Sequence, residues 1–294
     1  MPFSGRETPP TILLVDNGSL EAAATLGLRE LAAGLAAAAG AAVEPVSLLH
    51  ASAVPPAQLG GRPAEILEPA LERRIATGAR DFLILPLFFG PSNALTDYLP
   101  RRLAALQARY PHVRTRIAAP LVEVSDTGDE RLAALLERRV RATGLTDGPS
   151  PPAVLLVDHG SPAPAVTRVR EHLAGQLCAR LGRAVRAVRG ASMERRPEPA
   201  YDFNEPLLER ALGSPGFAAG DVVVALLFFA PGRHAGPDGD VARICAAAAR
   251  RHPGLRVTLT APLGPDPGLI PLLLDRLRAA AREAMPPDRP GREA

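Results

Sequence analysis

The sequence repeats itself once, and this duplication restricts the possible folds more than any other feature. Residues 13–19 read LLVDNGS and residues 155–161 read LLVDHGS, so in both segments an apolar run ends in an acid and then a glycine. The same spacing separates the Ala-Pro-Leu triplets at 119–121 and 261–263. Because a repeat of this length corresponds to a whole domain, the chain is expected to contain two similar halves.

Apolar runs of strand length alternate with helical patterns four times in each half. Because parallel strands need a long crossover connection, which a helix usually supplies, this alternation is typical of a parallel sheet covered by helices. The sequence therefore predicts an α/β fold of two similar, doubly wound parallel-sheet halves that face a cleft. The predicted strands cover 11–16, 43–49, 81–88, 114–119, 153–158, 184–188, 221–229 and 255–260. The predicted helices cover 20–39, 63–77, 99–109, 130–141, 166–181, 205–212, 240–251 and 267–284.

Composition places the domain boundaries. The segment GLTDGPSPP at 144–152 has the proline and glycine content of a linker, and it separates a domain predicted at 11–143 from one predicted at 153–284. Residues 1–10 and 285–294 are predicted to be disordered.

Several classes of protein are excluded by composition and motif. No apolar run reaches the roughly 18 residues of a membrane span, and residues 1–10 lack the apolar stretch of a signal peptide, so a cytoplasmic protein without membrane contact is predicted. The net charge is +3, but the arginines are dispersed and aromatic residues make up only 4%, which argues against a nucleic-acid partner. Neither a dinucleotide-binding nor a phosphate-binding glycine motif follows a strand, so no nucleotide site is predicted. Cys178 and Cys245 are interpreted as small buried side chains.

Histidine follows two strands of the second half. His159 comes directly after the first strand, and His234 follows the third within FFAPGRH at 228–234. Strands 1 and 3 are expected to be neighbours in such a sheet, so both imidazoles should face one cleft, where they could bind a divalent metal or take up a proton. In the first half, Asn17 replaces His159 and segment 90–94 contains no histidine, so the fold alone does not require them.

The loop after the second strand of this half supplies charged side chains. Glu194 is predicted to complete a metal site, with Asp202 as the alternative acid. Arg195 and Arg196 could hold ligand carboxylates through paired hydrogen bonds. Glu205 is interpreted as a helix cap, because the first half has an equivalent Glu-Pro pair.

The second half resembles the sirohydrochlorin cobaltochelatase family of small tetrapyrrole chelatases. The matching segments are VDHGS at 157–161, LFFAPGRH at 227–234 with Asp238 after it, RHPGL at 251–255 and APLG at 261–264. The resemblance spans residues 153–283, and a weaker similarity over 11–143 indicates a tandem-duplicated form with a degenerate first half.

The resemblance implies insertion of a divalent metal into sirohydrochlorin or a related tetrapyrrole of cobalamin or siroheme biosynthesis, without ATP. The metal would be a substrate, with Co²⁺ the first choice and Fe²⁺ or Ni²⁺ as alternatives, and no organic cofactor is implied. His159 and His234 would bind the metal, and His159 would also accept a pyrrole proton. Arg195 would contact the carboxylate-bearing macrocycle. The residues implied to line it are Ala230, Pro231, Gly232 and Arg233.

Two other functions remain open at the level of sequence. The chain could bind and carry a tetrapyrrole or a metal without chemistry, or it could be a scaffold in which His159 and His234 are structural. The sequence also leaves monomer and homodimer as alternatives.

Overall fold

The computed structural model describes residues 9–125 and 128–283. The disorder predicted for 1–10 and 285–294 therefore lies, except at residues 9 and 10, outside the described residues. The described residues form two four-stranded sheets in which every pair of neighbouring strands is parallel. The predicted fold class is therefore confirmed. The first sheet has the order β2-β1-β3-β4 and consists of β1 (Thr11–Asp16), β2 (Val43–Ser47), β3 (Asp81–Pro86) and β4 (Arg114–Ile117). The second has the order β6-β5-β7-β8 and consists of β5 (Ala153–Asp158), β6 (Ala187–Ser192), β7 (Gly220–Leu226) and β8 (Leu255–Leu259).

Helices cover both faces of each sheet, which explains why the central strands are apolar along almost their whole length. The first-half helices are α1 (Ala22–Ala39), α2 (Leu67–Ala76), α3 (Leu99–Arg109) and α4 (Arg131–Arg141). The second-half helices are α5 (Pro164–Leu181), α6 (Leu208–Ala211), α7 (Asp240–Arg251) and α8 (Leu269–Glu283).

Several predicted bounds differ from the structure. The helix predicted from residue 63 begins at Leu67, and the strand predicted to reach residue 229 ends at Leu226. Two other elements of the second half were also misplaced. Strand β6 was predicted at 184–188 but runs on to Ser192, because Gly190, Ala191 and Ser192 continue the pairing with β5. The helix predicted at 205–212 is reduced to the short α6, and a 3₁₀ segment, Pro199–Asn204, precedes it. Of the two cysteines predicted to be buried, Cys245 is buried, whereas Cys178 is exposed on α5.

The two halves pack through helices into one body. Helix α1 lies against α8 and α4 lies against α5, so the first helix of each half contacts the last helix of the other. A single apolar core includes side chains from both sheets. Phe89 and Phe229, at equivalent positions, stack with ring centroids 3.9 Å apart. Gly90 is required beside them, because a Cβ there would lie 2.7 Å from Cγ2 of Val169.

Helix α1 is, within the described residues, the one helix long and apolar enough to span a membrane by length and composition. The prediction had found no apolar run of that length. The difference arises because Arg29 and Glu30 interrupt the apolar sequence of α1, whereas its mean hydropathy, averaged over the whole helix, is high. Its Leu28, Leu31 and Leu35 are buried in the core of the protein.

Candidate functional site

A glycine turn ends β5 and places His159 at the edge of the second sheet. Gly160 has φ +92°, and a Cβ there would lie 1.9 Å from the carbonyl oxygen of Glu194, so only glycine fits. Two backbone hydrogen bonds fix the neighbouring loop against this turn: Met193 N–H donates to Asp158 O (2.8 Å) and Glu194 N–H donates to His159 O (3.1 Å). The carboxyl ends of β5 and β6 are thereby held together.

The structure brings His159 and His234 together, since β5 and β7 are neighbours. Their ring centroids are 4.7 Å apart and the rings are nearly perpendicular, with an interplanar angle of 80°. Glu194 Oε1 lies 3.5 Å from His159 Nε2. Within residues 9–125 and 128–283, no group of three or more His, Cys, Asp or Glu side chains is assembled closely enough to hold a metal ion. The arrangement is therefore an open imidazole pair with one carboxylate beside it.

Asp240 contacts His234, and sequence reasoning missed it. Its Oδ2 lies 2.7 Å from His234 Nδ1, and its Oδ1 pairs with the guanidinium of Arg243. The hydrogen bond from Arg243, followed by that from His234, holds the pKa of Asp240 below its usual range. Its place in the first turn of α7 was visible in the sequence, but its distance from the imidazole depends on the turn between them.

A buried arginine binds the residues next to the site. Arg170 is fully buried within α5, and its Nη1 lies 3.4 Å from Asp158 Oδ1 and donates to Asn204 O at 3.3 Å. Ser192 Oγ donates to Asp158 Oδ1 at 2.7 Å. Asn204 accepts from Ser161 N–H and donates to Ser161 O. Arg170 therefore connects the ends of β5 and β6 with the loop before α6.

The pKa of Asp158 is shifted in this network. Burial raises the pKa of its carboxyl, although the charge of Arg170 and the hydrogen bond from Ser192 act in the opposite direction. Sequence reasoning missed Arg170, whose signal was an arginine among the apolar positions of a predicted helix.

The guanidinium of Arg195 binds groups of its own loop, and it is therefore not free to hold a ligand carboxylate as predicted. Its Nε donates to Glu205 Oε1 and its Nη2 lies beside Asp202 Oδ1, both at 3.0 Å, and its Nη1 donates to three loop carbonyls. Only 15% of its side chain is exposed. Arg195 therefore holds the loop together. Arg196 donates to the hydroxyl of Tyr201 and lies over its ring.

The two candidate acids occupy different places. Asp202 pairs with Arg195, whereas Glu194 lies beside His159, so the geometry favours Glu194 over Asp202 as the acid of the site. Glu205 was predicted to cap a helix, but α6 is preceded by Leu207 and has no side-chain cap, so that interpretation is wrong. Glu205 accepts a hydrogen bond from Leu207 N–H and pairs with Arg195 and Arg210. Against the effect of its burial, these contacts lower the pKa of Glu205.

A cleft of about 1140 Å³ lies between the halves, and both histidines line it. Ala230, Pro231, Gly232 and Arg233 line the same cleft, whereas Glu194, Arg195 and Arg196 are outside its lining. The Arg233 side chain is 84% exposed, so its guanidinium is accessible from the cleft.

The first half supplies the opposite wall. Leu20 and Leu26 line the cleft and are 66% and 44% exposed, which is unusual for leucine, and Asn17 lines it where the second half has His159. Asp16, Glu21 and Glu30 are the acids of this wall, and His50 is its histidine. The cleft therefore combines an imidazole pair on one side with a largely apolar surface on the other.

Comparisons with known proteins agree with this architecture. The family model described as CbiX matches residues 11–143 and again residues 153–280. A search of the curated proteins found no match. The fold is similar to the solved structure of SirB from Bacillus subtilis with Fe³⁺, with a TM-score of 0.68 and 19% identity over 94% of this chain and 97% of that one. The sirohydrochlorin chelatase SirB from Bacillus subtilis subspecies spizizenii in complex with cobalt gives a TM-score of 0.66, with the same identity and coverage.

Proposed function

Since the chain belongs to the CbiX family, matched over both of its halves, we propose that it inserts a divalent metal ion into sirohydrochlorin or a closely related tetrapyrrole without ATP. The observation that carries the proposal is the pair of His159 and His234, 4.7 Å apart on the wall of the cleft between the halves. The cobalt complex of a sirohydrochlorin chelatase with the same fold supports it.

In this proposal His159 and His234 bind the incoming metal ion, with Glu194 as a third ligand. Imidazole and carboxylate bind divalent transition metals, and a site with few protein ligands keeps coordination positions free for the acceptor. A transferred metal must also leave, and two imidazoles with one carboxylate beside them suit an ion that is a substrate.

His159 is also the proposed base. Two pyrrole protons must leave the macrocycle as the metal enters: one would pass to the imidazole of His159 once it has released the metal, and the other to solvent water. The carboxylate of Glu194, 3.5 Å from His159 Nε2, would stabilise the imidazolium that forms.

The macrocycle is proposed to lie along segment 230–233, with its apolar face towards Leu20 and Leu26. Arg233 would bind a carboxylate of the substrate, because its guanidinium is accessible from the cleft. This assigns to Arg233 the recognition that the sequence had suggested for Arg195 and Arg196.

Co²⁺ is the proposed metal, and Fe²⁺ and Ni²⁺ are the alternatives. Nitrogen and oxygen ligands bind all three ions, and selection among them depends on geometry and supply. Initial rates with each ion at equal free concentration would rank them, and a rate with Fe²⁺ or Ni²⁺ that exceeds the rate with Co²⁺ would contradict this choice.

A tetrapyrrole or metal carrier is the second candidate, favoured by the loss of both imidazoles from one half. Anaerobic assays with sirohydrochlorin in large excess over protein distinguish the two functions. The chelatase proposal predicts many turnovers per chain, and His159→Ala and His234→Ala should each lower the rate at least about 100-fold, as expected when a group essential to proton transfer or metal binding is removed. His112→Ala, an exposed histidine in the first half, is the matched control. One equivalent of bound product without turnover would favour the carrier.

A further inference from the structure

We propose that Asp240 is a positioning residue that holds the imidazole of His234 so that Nε2 faces the metal substrate. This inference rests on the proposed function. The inference is based on the distance of 2.7 Å between His234 Nδ1 and Asp240 Oδ2. An ionised carboxylate only accepts hydrogen bonds, so Nδ1 carries the proton and the lone pair of Nε2 is left for a metal.

The backbone fixes Asp240 relative to His234. Asp240 N–H donates to Arg233 O and Val241 N–H donates to His234 O, each at 3.1 Å, so the start of α7 is tied to the histidine segment. Gly239 makes this tight turn feasible, because a Cβ there would lie 2.6 Å from His234 O. The carboxylate and the imidazole therefore keep one relative position.

Arg243 fixes the orientation of the carboxylate. Its guanidinium binds Asp240 Oδ1, and its Nη1 donates to Asp238 O at 2.8 Å. With Oδ1 bound to Arg243, Oδ2 faces His234, and Nε of Arg233 lies farther from the same oxygen, at 3.9 Å. The guanidinium thus binds the carboxylate, and the carboxylate binds the imidazole. Contacts of this kind, made by residues that do not touch the metal, set the tautomer of metal-binding histidines.

His159 is held differently. Its Nδ1 lies 3.1 Å from the carbonyl oxygen of Gly160, and its Nε2 lies near Glu194. A neutral carbonyl fixes the ring without contributing a full charge. Asp240 therefore distinguishes the two imidazoles: a carboxylate holds the ring of His234, and a backbone carbonyl holds that of His159.

Asp238 provides a matched control. It lies two residues before Asp240 and is exposed, and its backbone carbonyl, not its side chain, accepts the bond from Arg243. The sequence resemblance included Asp238, whereas the structure gives the contact with His234 to Asp240. Changing either acid to its amide removes the same charge from the same turn, so the pair separates positioning from local electrostatics.

The experiment measures Co²⁺ binding to the full chain without tetrapyrrole, by competition with a chelating dye, and then steady-state insertion. Asp240→Asn should weaken Co²⁺ binding about 10- to 100-fold and lower kcat, with KM for the tetrapyrrole within twofold of wild type. The visible absorption of bound Co²⁺ should change, because the geometry of a nitrogen ligand changes. Asp238→Asn should stay within about twofold in every measurement. Arg243→Met, which leaves Asp240 in place, should give a smaller loss than Asp240→Asn.

Wild-type affinity in Asp240→Asn, with metal insertion by wild type intact, would overturn this inference alone. Equal losses in Asp238→Asn and Asp240→Asn would also overturn it, since they would show a general effect of charge. A wild-type chain that neither binds nor inserts Co²⁺ would overturn the proposed function as well. Thermal unfolding of each variant shows that the fold is retained.

Discussion

The turns after β1 and β5 have the same backbone and different side chains. Gly18 and Gly160 have φ +87° and +92°, and a Cβ on either would lie within 2 Å of a carbonyl oxygen in the next loop. Asn17 in the first turn corresponds to His159 in the second. Leu49, which closes on the first turn by a backbone hydrogen bond, corresponds to Glu194. The backbone requires glycine in both turns, whereas only the second turn has an imidazole with a carboxylate beside it.

The difference continues beneath the turns. Asp158 pairs with the buried Arg170, whereas the equivalent position in α1 is Leu28, and Asp16 has a buried Oδ1 without a hydrogen-bond partner. Desolvation raises the pKa of Asp16 to about 6, partly offset by hydrogen bonds from Ser47 and Gly18. Asp158 also has one buried oxygen without a hydrogen-bond partner, and each acid accepts from a serine and a glycine. The halves therefore differ here in the arginine, which only the second half has.

The largest expected effect on stability comes from removing Arg170, which has no counterpart in the first half. Arg170→Met should lower the free energy of unfolding by about 3–5 kcal/mol, because removing one partner of a buried ion pair leaves an uncompensated charge. Urea denaturation at pH 7.5 measures the change. Asp158→Asn combined with Arg170→Met should recover part of the loss, and no recovery in the double variant would contradict the pairing.

The two glycines test whether the shared backbone is equally necessary. Gly18→Ala and Gly160→Ala should each cost about 3 kcal/mol, from strain at positive φ and the clash with a carbonyl oxygen. Only Gly160→Ala should also reduce metal binding, since it displaces His159 and Glu194. Denaturation and Co²⁺ titration of both variants check this, and a much smaller cost for Gly18→Ala would show that the first turn has relaxed.

Replacing Asp16 should give the smallest of these effects, and the replacement should stabilise the protein. Because its folded pKa of about 6 exceeds the unfolded value of 3.8, the folded state binds more protons between pH 4 and 6, and stability falls as pH rises through that window. Asp16→Asn should therefore be about 2 kcal/mol more stable than wild type above pH 7, after allowance for partial solvent access, and equally stable below pH 4. Denaturation midpoints from pH 4 to 8 measure this difference. A stability difference between variant and wild type that stays constant over this range would contradict the prediction.

Much of the architecture could be predicted because the signals were local and repeated. The apolar runs gave the strands, and their alternation with helices predicted the neighbouring positions of His159 and His234. Strand β6 was placed wrongly because Gly190, Ala191 and Ser192 have weak strand preference, and Ser192 is buried through its hydrogen bonds with Asp158 and Arg170.

The contacts of charged side chains could not be predicted in the same way. Arg195 could be expected to face a ligand until the loop before α6 brought Glu205 and Asp202 to its guanidinium. Asp240 was indistinguishable from Asp238 in the sequence, because a single tight turn decides which one meets His234. Such contacts depend on tertiary geometry.

The central claim is that one site per chain exists and lies in the second half, and the equivalent positions His159 and Asn17 test it most directly. The measurement is the anaerobic absorbance change of sirohydrochlorin with Co²⁺ for wild type, His159→Ala, Asn17→Ala and a control without protein. The account predicts that His159→Ala falls to the rate without protein, whereas Asn17→Ala, which changes only the opposite wall, keeps at least about a third of the wild-type rate. Equal losses in the two variants, or wild-type activity in His159→Ala, would contradict it.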